Sequence, residues 1–201
     1  MELGEVLRRR RMVHRFLPDP VPAGALNRIL AAAMRAPSAG FSQGWDLLVL
    51  DSPEQLDNFW GLTLAPDLRA EMRDPPPLVI LPIPDREAYL ARYSLPDKAA
   101  FGLGASAERW PVPYWDLDTA MAVMLMLLQA VDEGLGAWYF GIARGEAELL
   151  ASLGVPAGRR PIGAVGIGVR HPEDRPAGSA LSVRRRPAGD AVHRNHWQAR
   201  C

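Results

Sequence analysis

Hydrophobic positions along the chain fall into helical and strand-like blocks in alternation. Leu3, Val6 and Leu7 share one face of a short first helix, and Leu26, Ile29, Leu30 and Ala33 mark a longer second one. That second helix must stop before Pro37, because proline steers the residue preceding it out of the helical region. Residues 45–50, Trp-Asp-Leu-Leu-Val-Leu, read as a buried strand. Ser52 followed by Pro53 and, three residues on, Gln55 predicts a capped helix start. Residues 78–81 predict a second strand, hemmed by Pro75, Pro76, Pro77 and Pro82. Residues 84–115 carry aromatics at Tyr89, Tyr93, Phe101, Trp110 and Tyr114 but keep no clean period, so they predict a partly helical excursion of the functional or mobile kind.

The run from Ala120 to Leu128 is apolar on every side within a helix expected over 119–132, capped by Asp116 or Asp118 and ended by Gly134 or Gly136. A helix with no polar face is buried all round. Nine such residues are too few to cross a bilayer, which takes about 20. In a chain this size a second subunit covering one side is the economical solution. Strands are expected at 137–142 and 162–169, with a helix at 146–153 between them. The tail, 171–201, is rich in proline and arginine and lacks a core face, so it is expected to lie over something else. The pattern is that of one domain spanning 1–201.

Charge and composition narrow the function. With 201 residues, 48% of them hydrophobic, the chain can bury a substantial core. Its 23 Lys+Arg balance 23 Asp+Glu, which leaves no basic excess for nucleic acid or an anionic membrane surface. Cys201 stands alone, so no internal disulfide forms, as suits a reducing compartment. Met1-Glu2-Leu3-Gly4-Glu5 is acidic and lacks a signal-like apolar core, and the expected location is the cytoplasm. Gly102-Leu103-Gly104-Ala105-Ser106-Ala107 fits a dinucleotide fingerprint only formally, because residues 97–100 make a poor strand. His193, His196 and Cys201 offer too few ligands with too little support for zinc, so no metal is expected.

Two basic segments stand near opposite ends of the chain, Arg8-Arg9-Arg10-Arg11-Met12-Val13-His14-Arg15-Phe16 and Leu181-Ser182-Val183-Arg184-Arg185-Arg186-Pro187. Guanidinium groups grip phosphate oxygens two at a time, so arginines from both ends suit a single phosphate-bearing ligand. A solvated basic face is the plainer alternative. Between them lies Ala36-Pro37-Ser38-Ala39-Gly40-Phe41-Ser42-Gln43-Gly44-Trp45.

In this order the three segments resemble the FMN-dependent nitroreductase family, whose members carry Arg-Arg-Ser-x-Arg-x-Phe early, Ala-Pro-Ser-x-x-x-x-Gln-Pro-Trp after the second helix and a basic pair before proline near the end. Glu133-Gly134-Leu135-Gly136 is similar to a fourth family stretch. The resemblance implies an α+β fold with a central mixed sheet flanked by helices, in an intertwined homodimer whose C-terminal tails are exchanged. It implies FMN as cofactor, NADH or NADPH as transient donor, and a small aromatic or quinone-like acceptor. Carried over, Arg10, Arg11, Arg184 and Arg185 hold the phosphate, with Met12 in the place of a phosphate-facing serine. His14 sits near the pyrimidine edge. Pro37, Ser38, Ala39 and Phe41 approach from the other subunit, while Gly141 and Ile142 bring backbone to the reactive edge. Phe41, Trp110 and Tyr114 are candidate walls of the acceptor slot, although Trp110 and Tyr114 serve equally as packing for the excursion. Gly44 replaces the family's proline, which loosens the turn before Trp45. The Ser38–Gln43 stretch is also similar to the flavin-destroying dimethylbenzimidazole synthase branch. A non-catalytic flavin-storage protein is a third possibility.

Overall fold

The computed structural model describes residues 1–176 and 179–197, so the expectation for Cys201 lies outside the described residues. Four strands, β1 (Trp45–Leu50), β2 (Leu78–Pro84), β3 (Gly136–Phe140) and β4 (Ala164–Gly168), form one sheet in the order β1-β2-β4-β3. Every strand pair is antiparallel. Among the described residues, parallel pairing is confined to an isolated bridge from Met12 to Ala137 on the β3 edge.

Alternation along each strand sorts the side chains into two layers. Trp45, Leu78, Ile80, Ala137, Val165 and Ile167 face helices α2 (Ala23–Ala33) and α6 (Tyr114–Asp132), meeting Ile29, Ala33, Ala122, Val123 and Met126. Leu50, Val79, Leu81 and Ile83 point the other way, toward Phe59 and Trp60 of α3 (Pro53–Thr63) and Leu149 and Leu150 of α7 (Glu146–Ser152). Each fully buried Leu, Ile or Phe contributes about 1.5–3 kcal/mol. The core therefore lies on both faces of a thin sheet. α1 (Leu3–Arg9) rests on α6, α4 (Pro66–Glu71) follows α3, and α5 (Arg86–Tyr93) opens the excursion.

Local signals decide most boundaries. Ser52 accepts a hydrogen bond from the Gln55 N–H at 3.2 Å, and Pro53 is the first helical residue of α3. Gly134, at φ +77°, ends α6 while the Leu135 N–H returns to the Ala130 carbonyl. Residues 99–101, beside the formal dinucleotide fingerprint, form a single 3-10 turn.

Three expectations are corrected. Helix α6 begins at Tyr114 rather than near 119, so Asp116 and Asp118 lie inside it and neither caps it. β2 runs through Pro82 to Pro84 instead of stopping at 81. Its pairing with β4 covers only Leu78 to Ile80, and past that point no ladder bond toward β4 is asked of proline. α6 is not buried all round in one chain either. Leu117, Met121 and Met124 stay exposed, as do Leu3 and Leu7 of α1, which packs on α6. The tail residues Leu181, Val183, Val192 and Trp197 are also exposed. Among the described residues, no helix is long and apolar enough to cross a membrane.

Candidate functional site

The first half of the site is an extended segment, residues 10–16, laid along the β3 edge. The Val13 N–H donates to the Ala137 carbonyl, the Leu17 N–H to that of Val169 and the His171 N–H to that of Arg15. Extended backbone turns successive side chains to opposite sides. On one side, the Met12 sulfur accepts the Tyr139 N–H at 3.4 Å, and the His14 ring meets Trp138 edge-on at 5.2 Å. The His14 Nδ1 is buried with no hydrogen-bond partner. Arg10 caps the end of α1 and, among the described residues, has no carboxylate partner. On the other side, Val13 is buried against Gly136, and Arg15 pairs with Asp74 and Glu173.

Arg11 belongs to that second side. Its guanidinium reaches Asp174 at 2.5 Å, and the Asp174 carboxylate also accepts the His14 N–H at 3.0 Å and the Arg15 N–H at 3.2 Å. Asp174 is 1% exposed, and Arg170 lies 3.4 Å from it. Burial pushes the Asp174 carboxyl up, but the hydrogen bonds from His14, Arg11 and Arg15 and the Arg11 charge outweigh it and hold the group below the ordinary carboxylate value. The structure thus commits Arg11 to an internal anion. No sequence pattern flags Asp174, which stands beside Glu173 at the start of an arginine- and proline-rich tail.

The second half is the turn between α2 and β1. The Ala39 N–H donates to Asp118 at 2.8 Å, the Gln43 N–H to the Ser38 hydroxyl at 2.9 Å, and the Ser42 hydroxyl to the Ala39 carbonyl at 2.6 Å. Gly40, Phe41 and Gln43 all have positive φ, of 61°, 57° and 50°. For the two non-glycine residues this costs about 1–3 kcal/mol each. Phe41 nevertheless projects outward, 72% exposed, and Pro37 is exposed beside it. Gly44 does not loosen this turn. A Cβ there would lie 2.5 Å from the Tyr89 ring and 2.7 Å from the Asp85 carbonyl, so glycine is what lets α5 approach.

Trp110 is 7% exposed and donates its indole N–H to the Leu103 carbonyl at 2.9 Å. Its ring packs among Tyr89, Tyr93, Tyr114 and Trp115. Within one chain it therefore buttresses the excursion, whereas Tyr114 remains 36% exposed. Gly141, just past β3, has open space where a Cβ would stand, and Ile142 packs against the α3–α7 layer. Arg184 and Arg185 are exposed, and no hydrogen bond or ion pair among the described residues joins either to the body.

The two halves sit at opposite edges of the sheet, since residues 38–43 lead into β1 and residues 10–16 line β3. Three strand spacings separate these edges, about 14 Å. In one chain Met12 packs with the α2–α6 layer, His14 meets Trp138, Gly141 follows β3 and Ile142 packs with the α3–α7 layer, while Phe41 lies at the other sheet edge.

A helix–sheet–helix α+β layering, with a basic segment along one sheet edge and a strained aromatic turn at the other, defines the class. The chain matches the Nitroreductase family over residues 7–169 and belongs to that family. It is 34% identical over 141 residues to the 5,6-dimethylbenzimidazole synthase of Rhodobacter capsulatus, covering 67% of each chain. Among solved structures it is similar to a nitroreductase family protein of Streptococcus pneumoniae, with a TM-score of 0.75 at 17% identity over 96% of this chain and all of the other, 100%. It is also similar to an FMN-dependent nitroreductase of Clostridium difficile, with a TM-score of 0.67 at 20% identity over 96% of this chain and 98% of that one.

Proposed function

We propose that the protein is an FMN-dependent NAD(P)H oxidoreductase, working as a cytoplasmic homodimer, that reduces a planar conjugated acceptor such as a nitroaromatic, a quinone or an enone. The observation that carries this reading is the division of the family's site residues between opposite sheet edges. A second copy is needed to set the Phe41 turn against the His14 segment. The exposed Leu117, Met121 and Met124 of α6 and Leu3 and Leu7 of α1 supply apolar surface for that contact.

The chain's own groups suit FMN. Arg10, Arg184 and Arg185 have no carboxylate partner among the described residues and would hold the phosphate, while Arg11 supports them by anchoring the segment to Asp174. The unpaired buried Nδ1 of His14 has the chemistry to meet the polar pyrimidine edge. Met12 would border that region, and the backbone at Gly141 and Ile142 would lie toward the reactive edge. Pro37, Ser38, Ala39 and Phe41 of a second copy would close the other side. Bound FMN would supply hydride chemistry, for which no acid–base side chain is required. Donor and acceptor then share one slot in turn, with Phe41 and Tyr114 as walls and Trp110 behind them.

The likeness to a 5,6-dimethylbenzimidazole synthase supports a second reading, consumption of the flavin itself with oxygen. Mixing protein, FMN and NADH with and without oxygen separates the possibilities. Reversible bleaching and parallel initial-rate lines fit the oxidoreductase. Irreversible loss of flavin fits the synthase-like reaction, and no bleaching fits a storage protein.

A further inference from the structure

Asp118 is 2% exposed, in the first half of α6, and no lysine, arginine or histidine among the described residues pairs with it. It accepts two hydrogen bonds from neutral donors, the Ala39 N–H and the Tyr89 hydroxyl, both at 2.8 Å. An acid buried without a cation is costly. What it touches is specific. One donor belongs to the strained turn that carries Phe41, and the other belongs to the excursion.

The same turn is gripped from two further directions. Arg92 of α5 donates its Nε–H to the Gly40 carbonyl at 2.8 Å, and its two terminal nitrogens fork onto Asp97 at 2.8 and 2.7 Å, which fixes the guanidinium plane. The Tyr93 ring lies against Gly40 so closely that a Cβ there would be 2.7 Å from it. Behind them, Tyr89 and Tyr93 both contact Trp110. The strained turn, with positive φ at Phe41 and Gln43, is thus held by groups from α5 and α6 in addition to its own Ser38 and Ser42 hydrogen bonds.

We propose that Asp118 is a positioning residue: from inside the protein it sets the conformation of residues 39–43, and with it the aim of the Phe41 ring at the acceptor. This role toward the acceptor rests on the oxidoreductase reading given above; the hold on the turn does not. The excursion then acts as the outer jaw of a clamp whose inner jaw is α6, with Tyr89 joining the two.

The test compares wild type with Asp118→Ala, Asp118→Asn and Tyr89→Phe. Amide hydrogen exchange followed by mass spectrometry reports on residues 38–43 directly. Exchange there is expected to speed up about tenfold in Asp118→Ala, less in Tyr89→Phe, and least in Asp118→Asn, which keeps an accepting oxygen, while peptides from α2 and the second half of α6 stay protected. In flavin-loaded protein the KM for a quinone acceptor should rise about tenfold in Asp118→Ala, and the KM for NADH with it because the two share the Phe41 slot, while kcat changes by less than about twofold. Unchanged exchange at 38–43, or faster exchange spread over all of α6, would overturn the proposal and leave Asp118 a general core group. Should Asp118→Ala fail to fold, Tyr89→Phe decides by the same two readouts. If NADH does not bleach the wild-type flavin, the oxidoreductase reading fails, and the exchange result still decides whether Asp118 holds the turn.

Discussion

Each half of the candidate site is tied down by one buried aspartate, and the two ties differ in kind. Asp174 holds the His14 segment through two backbone N–H groups within a cluster that contains Arg11 and Arg170. Asp118 holds the Phe41 turn through one backbone N–H and one tyrosine hydroxyl, with no cation beside it. Burial, then the hydrogen bond and charge of Asp118, push the Tyr89 hydroxyl well above its ordinary value, so it remains a donor at any physiological pH. The first tie is electrostatic and carries a basic segment. The second is directional and carries an aromatic ring. A site for an anionic, planar ligand needs both: charge held where the anion lies, and geometry held where the ring stacks.

The largest expected effect follows from removing the electrostatic tie. Asp174→Ala leaves Arg11 without its anion and two N–H groups without an acceptor, and should cost about 3 kcal/mol or more in urea unfolding. Asp118→Ala loses only neutral donors and should cost about 1–3 kcal/mol. Equal losses would erase the distinction.

Bringing the halves together across subunits gives the next test. Met124→Glu places a charge in the exposed α6 stripe and is expected to yield monomeric or insoluble protein without FMN. Light scattering on the unmodified chain should show a dimer at micromolar concentration. A flavin-containing monomer would remove the need for a second copy.

Arginine substitutions sharpen the comparison further. Arg10→Ala and Arg185→Ala should each weaken FMN binding by about tenfold or more with little change in apo-protein Tm, while riboflavin, lacking the phosphate, binds both variants as it binds wild type. Arg11→Ala should instead lower the Tm, because it strips the cation from Asp174. The smallest effect is in pH dependence. Because the Asp174 carboxyl lies below its ordinary value in the folded state, its contribution is fully present above the unfolded-state pKa of about 3.9 and is lost as pH falls through the lower folded value. Asp174→Asn should flatten that part of an acid-unfolding curve.

Much of the fold was legible because its signals are local. The Ser52-Pro53 start of α3, the glycine after α6 and the Trp45–Leu50 block each follow from residues within a turn or two. Sequence and structure part where long-range contacts decide. Asp118 looked like a helix cap because acids near helix starts usually are, yet the Ala39 N–H, 79 positions away, claims it. Gly44 looked permissive in sequence, and only the approach of Tyr89 shows it to be a requirement of packing. Arg10 and Arg11 are neighbours in a basic run, yet only Arg11 is claimed by Asp174, 163 positions away, a partner that composition does not reveal. Asp174 could not be found from spacing at all, since the groups it serves lie about 160 residues earlier.

The prolines of β2 have a consequence for what the sheet refuses to bind. The Pro82 carbonyl accepts the Ile162 N–H, so that residue's peptide faces the β4 side, and Pro84, two residues on, faces the same way. Neither can donate. Beyond Ile80 this flank of the strand therefore presents acceptors without donors, half of a ladder that no incoming strand can complete. During folding or after partial opening, a foreign strand could start to zip onto β2 here but could not continue. Pro82, read from the sequence as the end of the strand, and Pro84 thus leave this flank of β2 without donors for a foreign strand.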